Sequence, residues 1–157
     1  MPHKDRTAWV EDLKQNSDRL STFEILAMTH RLIEPGPLAL VSSFGAEAVV
    51  LLHLVAQVDP DLPVLFIDTR LLFVGTLQYQ NDISKLLGLT NVQIIRADAQ
   101  QIARSDSFDR LHLSNPNACC SLRKTDPLNR ALPPYDGWIS GRKQFQATAA
   151  PVSRILN

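Results

Sequence analysis

The first part of the chain alternates apolar and polar residues at helical spacing. Residues 9–33 carry apolar side chains every three or four positions, which predicts two helices. Ser21 is a suitable cap for the second helix, because Glu24 follows three residues later. Proline and glycine at 35–37 then predict the end of this helical region.

The rest of the chain alternates between short apolar runs and longer helical patterns. Continuous apolar runs are typical of strands buried on both faces of a parallel sheet. Strands are predicted at 38–41, 64–67, 92–96 and 137–141, and helices at 46–58, 77–87 and 119–132. The helix at 46–58 is apolar on nearly every side, which predicts burial against the sheet. Alternation at this spacing predicts an α/β fold with a mostly parallel sheet flanked by helices.

Composition narrows the class of protein. The 157 residues are enough for one domain, and 45% hydrophobic with 20% charged residues is ordinary for a globular chain. Sixteen basic residues balance sixteen acidic ones, so the charge of a general nucleic-acid binder is missing. Residues 110–157 nevertheless hold seven of the basic and two of the acidic side chains, which favours contact with an anion.

Apolar runs and cysteine use indicate the compartment. No run approaches the roughly 18 residues of a membrane span, and the N-terminus has no apolar signal core, so we expect a cytoplasmic protein without a membrane partner. The two cysteines, Cys119 and Cys120, are adjacent, a spacing that seldom forms a disulfide. With Arg123 and Lys124 close by, they are interpreted as thiolates that could bind a metal.

Polar loops follow three of the predicted strands. In an open parallel sheet these loops meet beyond the carboxyl ends, where ligands bind. The first loop opens a helix and could hold a phosphate or sulfate, with Gly45 permitting a tight turn and close backbone approach. Asp68 either caps the next element or faces a ribose or base. The last loop is either a solvated basic turn or a second anion contact. The three loops contain Ser42, Ser43, Phe44 and Gly45, then Asp68 and Thr69, then Gly141, Arg142 and Lys143.

The order of these motifs resembles that of the assimilatory adenylyl-sulfate reductases. The resemblance covers the chain from about residue 20 and is most specific in the cysteine block. It rests on Ser42-Ser43-Phe44-Gly45-Ala46-Glu47, on Asp68-Thr69, on Cys119-Cys120-x-x-Arg123-Lys124 and on Trp138-Ile139-x-Gly141-Arg142-Lys143.

The resemblance implies a Rossmann-like adenine-nucleotide α-hydrolase fold. It implies one sulfonucleotide-binding domain, with N-terminal helices at 8–34 and an α/β core at 37–157. The substrate would be adenylyl sulfate, with AMP as product. The residues that would bind it are Ser42, Ser43, Phe44, Gly45, Glu47, Asp68, Thr69, Lys124, Gly141 and Arg142.

The resemblance also implies an iron–sulfur cofactor and a redox partner. Cys119 and Cys120 would be two of the four ligands of a [4Fe-4S] cluster. In this family a C-terminal cysteine attacks the sulfur of adenylyl sulfate and releases AMP, and thioredoxin then resolves the thiosulfonate to sulfite. The paired cysteines distinguish this group from cluster-free relatives that use 3′-phosphoadenylyl sulfate.

The family's second cysteine pair and its C-terminal nucleophilic cysteine have no counterpart in this sequence. We therefore expect a truncated reductase of the sulfate-assimilation type that retains nucleotide binding and has no catalytic cysteine of its own. One alternative is a non-catalytic adenine-nucleotide-binding remnant, acting as a sensor or partner subunit. Another is an ATP pyrophosphatase-type adenylating enzyme, which would need a loop richer in glycine. The sequence is compatible with a homo-oligomer, and we expect no nucleic-acid partner.

Overall fold

The computed structural model describes residues 6–33 and 37–141. Helix α1 (Arg6–Asn16) and helix α2 (Thr22–Ile33) precede the sheet. The predicted cap of α2 is present, since Glu24 Oε2 accepts a hydrogen bond from the Ser21 N–H at 2.8 Å and Ser21 Oγ accepts one from the Glu24 N–H at 3.3 Å. Two orphan N–H groups are thereby satisfied, and α2 begins where the sequence predicts.

Four strands and six further helices follow, and the strands agree with the predicted ones to within a residue at each end. Helix α4 begins three positions earlier than predicted, because it starts at Val74 and not at residue 77. In chain order the elements are β1 (Leu38–Ser42), α3 (Ala46–Val58), β2 (Val64–Ile67), α4 (Val74–Leu87), β3 (Val92–Ile95), α5 (Ala99–Ser105), α6 (Leu111–Ser114), α7 (Pro116–Cys120), a π-helical turn (Ser121–Thr125), α8 (Asp126–Ala131) and β4 (Gly137–Ser140).

The four strands form one parallel sheet in the order β3-β2-β1-β4. Leu40 pairs with Val64 on one side of β1 and with Ile139 on the other. The chain therefore adds β2 and β3 on one side of β1 and then returns to the opposite side for β4. In open α/β sheets the ligand crevice lies at such a reversal, which here falls at the carboxyl ends of β1 and β4. The parallel sheet with its flanking helices confirms the predicted α/β class.

Alternate residues of the central strands face opposite layers of helices. Leu40 and Phe66 pack in a core with Leu52 and Val55 of α3, whereas Ala39 and Leu65 pack with Leu132, which follows α8. Both faces of the sheet are therefore covered, which explains why the strands are continuous apolar runs.

One further prediction about the helices needs correction, and two short helices were not predicted. The predicted helix at 119–132 begins earlier, at Pro116, and its middle widens into the π-helical turn. Helices α5 and α6 carry too few apolar positions to be predicted. Helix α3 packs against the sheet as predicted, through Leu52 and Val55, while Val50 on another side of the helix is 64% exposed. Within the described ranges, no helix is both long and apolar enough to cross a membrane.

Candidate functional site

The carboxyl ends of β1, β2 and β4 bring the predicted loops to one edge of the sheet. Because the strands are parallel, the loop after Ser42, the loop after Ile67 and Gly141 all leave the sheet at this edge. The first loop and Gly141 lie at the neighbouring ends of β1 and β4. The topology therefore confirms this prediction for the loops after β1 and β2 and for Gly141, while the rest of the last loop lies outside the described residues.

The loop after β1 is shaped by Phe44 and not by its glycine. Phe44 has a φ of 55°, in the left-handed region that L-residues rarely adopt. Its ring is buried against Phe66 in an edge-to-face contact, with the ring centroids 5.4 Å apart. Its N–H donates to Oγ of the buried Ser42 at 3.1 Å. Gly45 has a φ of −64° that any residue can adopt, so the expectation that the turn needs Gly45 is wrong.

The same loop presents the N-terminus of α3 to the crevice. Gly45 is the capping residue of α3, and it has no side chain with which to cap the helix. Ser43 and Glu47 are exposed beside it. A helix of 13 residues has a positive dipole end with N–H groups directed outward, so this terminus can receive an anion.

The loop after β2 is held by its own side chains. Asp68 is 4% exposed, and its Oδ1 accepts from the Arg70 N–H at 2.8 Å while its Oδ2 accepts from Arg96 Nε at 2.8 Å. Burial would raise the pKa of Asp68, but these hydrogen bonds and the charges of Arg96 and Arg70 outweigh it, and the pKa is lowered. Thr69 is also buried, and its Oγ1 accepts from the Leu71 N–H at 3.2 Å. Asp68 thus holds its own loop. The prediction that it caps the next element is wrong, because the capping residue of α4 is Phe73.

Arg123 links this loop to the cysteine-bearing segment. Its side chain is 1% exposed, and Nη1 donates to the carbonyl oxygen of Thr69 at 2.8 Å. Nε and Nη2 donate to Asp106 Oδ2 at 3.2 and 2.7 Å, and Nη2 also donates to Asp109 Oδ1. Burial would lower the pKa of Arg123, yet the hydrogen bonds and charges of the two carboxylates raise it. The sequence predicts that the charge of Arg123 stabilises the nearby thiolates, but in the structure this charge is balanced by Asp106 and Asp109.

Cys119 and Cys120 end α7 immediately before the π-helical turn. Cys119 is buried and Cys120 is exposed, and both are free thiols. Lys124 lies in the π-helical turn with its side chain exposed. In the described ranges no group of three or more His, Cys, Asp and Glu side chains is arranged to hold a metal ion.

Three charged residues of this edge were missed from the sequence. Arg96 holds Asp68 from the end of β3, and Asp106 and Asp109 hold Arg123 from the segment between α5 and α6. No periodic pattern marks such pairs, because the partners are 14 to 28 positions apart along the chain. Gly141 is exposed at the end of β4, whereas Arg142 and Lys143 lie outside the described residues.

A cavity of about 230 Å³ lies away from this edge. It is placed between α2 and the C-terminal end of α3, and since α3 runs back from the carboxyl edge, the cavity is at the opposite end of the sheet. Its lining comprises Phe23, Ala27, His30, Arg31, Gln57 and Val58, none of which was predicted to bind a ligand.

Comparison with known sequences gives a family and several relatives. Residues 37–156 match the phosphoadenosine phosphosulfate reductase domain. The chain is 43% identical over 129 residues to an adenosine 5′-phosphosulfate reductase of Mesorhizobium japonicum, covering 82% of this chain and 51% of the relative. It is 31% identical over 140 residues to a phosphoadenosine 5′-phosphosulfate reductase of Gloeobacter violaceus, covering 88% of this chain and 57% of the relative. The chain thus spans about half the length of these curated relatives.

A solved structure has the same fold. The crystal structure of a phosphoadenylyl-sulfate reductase from Candida auris, in a phosphate complex, superimposes with a TM-score of 0.68 at 20% sequence identity. The match covers 94% of this chain and 71% of that one. The likeness agrees with the Rossmann-like α/β architecture.

Proposed function

Since the chain belongs to the phosphoadenosine phosphosulfate reductase domain family, we propose that it binds adenylyl sulfate at the carboxyl edge of its sheet. The α/β core at 37–157 and the helices at 8–34 would form one sulfonucleotide-binding domain. In the full reaction adenylyl sulfate would be reduced to sulfite and AMP with electrons from thioredoxin, in the reducing cytoplasm that keeps Cys119 and Cys120 free.

The observation that supports this proposal most is the position of the N-terminus of α3, which follows β1 directly and lies beside the reversal of strand order between β1 and β4. Open α/β sheets bind ligands at such a reversal of strand order, and helix N-termini bind phosphate and sulfate groups. The N–H groups of the first turn of α3, with Ser42 and Ser43 beside them, would hold the phosphosulfate. Asp68 and Thr69 would lie toward the nucleoside, and Lys124, Gly141 and Arg142 would complete the anion contacts.

Adenylyl sulfate is proposed over its 3′-phosphorylated analogue on two grounds. The chain carries the adjacent cysteine pair, which the resemblance associates with adenylyl-sulfate reductases. In addition, the relative from Mesorhizobium japonicum, which is named for adenosine 5′-phosphosulfate, is 43% identical to this chain.

Isothermal titration calorimetry of the chain with adenylyl sulfate, AMP and ATP tests the binding proposal. We expect adenylyl sulfate and AMP to bind more tightly than ATP, because a loop with the single glycine Gly45 cannot wrap three phosphates as a glycine-rich loop does. Tighter binding of ATP would instead favour an adenylating enzyme. A sulfite assay with thioredoxin should detect no product from this chain alone, since neither of its cysteines stands at the position of the family's nucleophile.

A charge placed beside α3 localises the site. Ser43→Glu puts a carboxylate at an exposed position next to the helix terminus, where it would compete with the bound anion, and we expect AMP affinity to fall about ten-fold or more. His53→Glu makes a similar change on an exposed position farther along α3 and should leave affinity unchanged. Equal affinities for the two variants would place the nucleotide elsewhere.

The thiols of this chain do not fit a complete iron–sulfur cluster. A [4Fe-4S] cluster takes about four thiolates, and the sequence contains two cysteines. We propose that Cys119 and Cys120 provide two ligands, so the isolated chain should not assemble the cluster. Anaerobic reconstitution with iron and sulfide should give far fewer than about four irons per chain. A full complement of iron on the monomer would contradict this proposal.

A further inference from the structure

Arg123 is a buried cation that joins three separate segments of the chain. It lies in the π-helical turn directly after Cys119 and Cys120, and its guanidinium reaches Thr69 in the loop after β2 and two carboxylates between α5 and α6. Along the sequence, Arg123 lies 54 residues from Thr69 and 17 residues from Asp106. A single side chain therefore fixes the cysteine-bearing segment against the proposed nucleotide loop.

The contacts use the shape of the guanidinium as well as its charge. Nε and Nη2 both donate to one oxygen of Asp106, while Nη1 donates to Thr69 in another direction. Asp106 is itself fixed, because its Oδ1 accepts from the Leu111 N–H at 2.8 Å. A lysine ammonium carries the same charge at a single point and cannot match this planar arrangement.

The loop that Arg123 reaches is rigid on its other side. Thr69 follows Asp68, whose carboxylate is held by Arg96 and by the Arg70 N–H, and Arg70 has a φ of 61°. Asp68 and Thr69 are both buried with their side-chain oxygens hydrogen-bonded, so a shift of either residue would leave buried polar groups unpaired unless their partners moved with them. A displacement at Asp68 or Thr69 would therefore pass through the Thr69 carbonyl to Arg123.

We propose that Arg123 is a positioning residue that couples nucleotide binding at the loop after β2 to the order of the segment carrying Cys119 and Cys120. This inference rests on the proposed function, which places the nucleotide at Asp68 and Thr69. Coupling between two sites is reciprocal. A nucleotide that orders the cysteine-bearing segment is bound more tightly once that segment is ordered.

Hydrogen exchange of the full chain, measured with and without saturating AMP, tests the coupling. In the wild-type chain AMP should slow amide exchange at 42–47 and also at 116–125, the latter by about five-fold or more, the lower end of couplings between distinct sites. In Arg123→Lys the slowing at 116–125 should disappear while the slowing at 42–47 remains. A purely structural role for Arg123 would raise exchange equally with and without AMP.

The matched control is Arg130→Lys, the same substitution at an exposed position of α8, which should retain both effects. If Arg123→Lys does not fold, Asp109→Asn replaces it, because asparagine tolerates the φ of 55° at this position and removes one carboxylate partner of Arg123. This variant should show a smaller slowing at 116–125 than the wild type.

The outcomes separate the two proposals. Slowing at 42–47 without slowing at 116–125 in the wild type would overturn the coupling and leave the nucleotide site standing. Equal slowing at 116–125 in the wild type and in every folded Arg123 or Asp109 variant would overturn the role of Arg123. An absence of any effect of AMP would overturn the proposed function, and the coupling with it.

Discussion

At the scale of single residues, Phe44 combines a strained backbone with a deeply buried ring. A non-glycine residue with positive φ destabilises the chain by about 1 to 3 kcal/mol, and it persists only where surrounding contacts fix it. Here the edge-to-face contact with Phe66 and the hydrogen bond to Ser42 Oγ supply those contacts. The loop that opens α3 is thus held by the hydrophobic core, although its outer face is polar.

Phe44→Ala should lower the free energy of unfolding by about 3 to 5 kcal/mol, because it removes a buried ring and leaves a cavity beside Phe66. Gly45→Ala is the matched neighbour, and it should be close to neutral, since a Cβ there meets Ser43 Oγ at an ordinary 3.6 Å. Urea unfolding followed by circular dichroism measures both values. A large loss from Gly45→Ala would show that the glycine, and not Phe44, controls the loop.

At the scale of elements, the two glycines of α4 occupy different environments. Gly88 ends the helix in the left-handed conformation with a φ of 71°, and its N–H donates to the carbonyl oxygens of Lys85 and Ser84. Gly75 lies in the first turn of the same helix, and a Cβ there would meet nothing within 4 Å. One glycine is therefore needed for the backbone and the other is not.

Gly88→Ala should lower the free energy of unfolding by about 1 to 2 kcal/mol, because alanine is strained in the left-handed region. Gly75→Ala should instead raise it by up to about 1 kcal/mol, since alanine is the better helix former. Thermal unfolding of the two variants and the wild type shows whether each substitution raises or lowers the stability. Changes of the same sign would contradict this account of α4.

The elements that the sequence predicts well are those whose burial leaves a pattern. Strand β2 is a continuous apolar run bounded by prolines and Asp68, so its limits at Val64 and Ile67 follow from the residues alone. The end of α4 at Gly88 is equally predictable from the sequence, because glycine commonly ends helices. The π-helical turn cannot be predicted in this way, because Arg123 is a charged residue in a segment whose sequence is typical of a solvent-exposed helix.

The site residues divide in the same way. Loops after strands are predictable because parallel strands carry their carboxyl ends to one edge. The partners of Asp68 and Arg123 cannot be predicted in this way. Tertiary packing brings Arg96, Asp106 and Asp109 to them, and no local sequence signal marks these pairs. The buried state of Arg123 itself follows only from those partners.

At the scale of the whole molecule, two buried carboxylates connect distant segments. Asp68 joins the ends of β2 and β3 through Arg96, and Asp106 joins its own segment to the π-helical turn through Arg123. For Asp106, as for Asp68, burial raises the pKa, but the hydrogen bonds from Arg123 and the Leu111 N–H outweigh it, and the pKa is lowered from 3.8. Both groups therefore stabilise the fold while they are ionised.

The stability of the chain should fall on acidification. A carboxylate with a lowered pKa in the folded state contributes its stability above the unfolded pKa of 3.8, and this is lost as the pH falls through the folded value. Urea unfolding at about pH 7, about pH 4 and about pH 3 should show the decline. Asp106→Asn should be less stable than the wild type at neutral pH and approach it in acid. As a control, Asp82→Asn at an exposed position should have the same pH dependence of the free energy of unfolding as the wild type. If the difference in free energy of unfolding between Asp106→Asn and the wild type were the same at every pH, the proposed role of the Asp106 carboxylate would be contradicted.

The position of β1 in the centre of the sheet bears on how the chain reaches its native state. One neighbour, β2, follows closely, but Leu38 pairs with Gly137 on the other side, a separation of about a hundred residues whose closure carries a large loss of chain entropy. Strands β1, β2 and β3 pair across shorter stretches of chain than β1 and β4 do, so we expect β4 to add last. Such non-local pairing makes folding slower than that of a helical bundle of similar size. Trp138 lies on β4, so in a Trp9→Phe background its fluorescence would follow this last step, and it should change later than the helical circular dichroism signal.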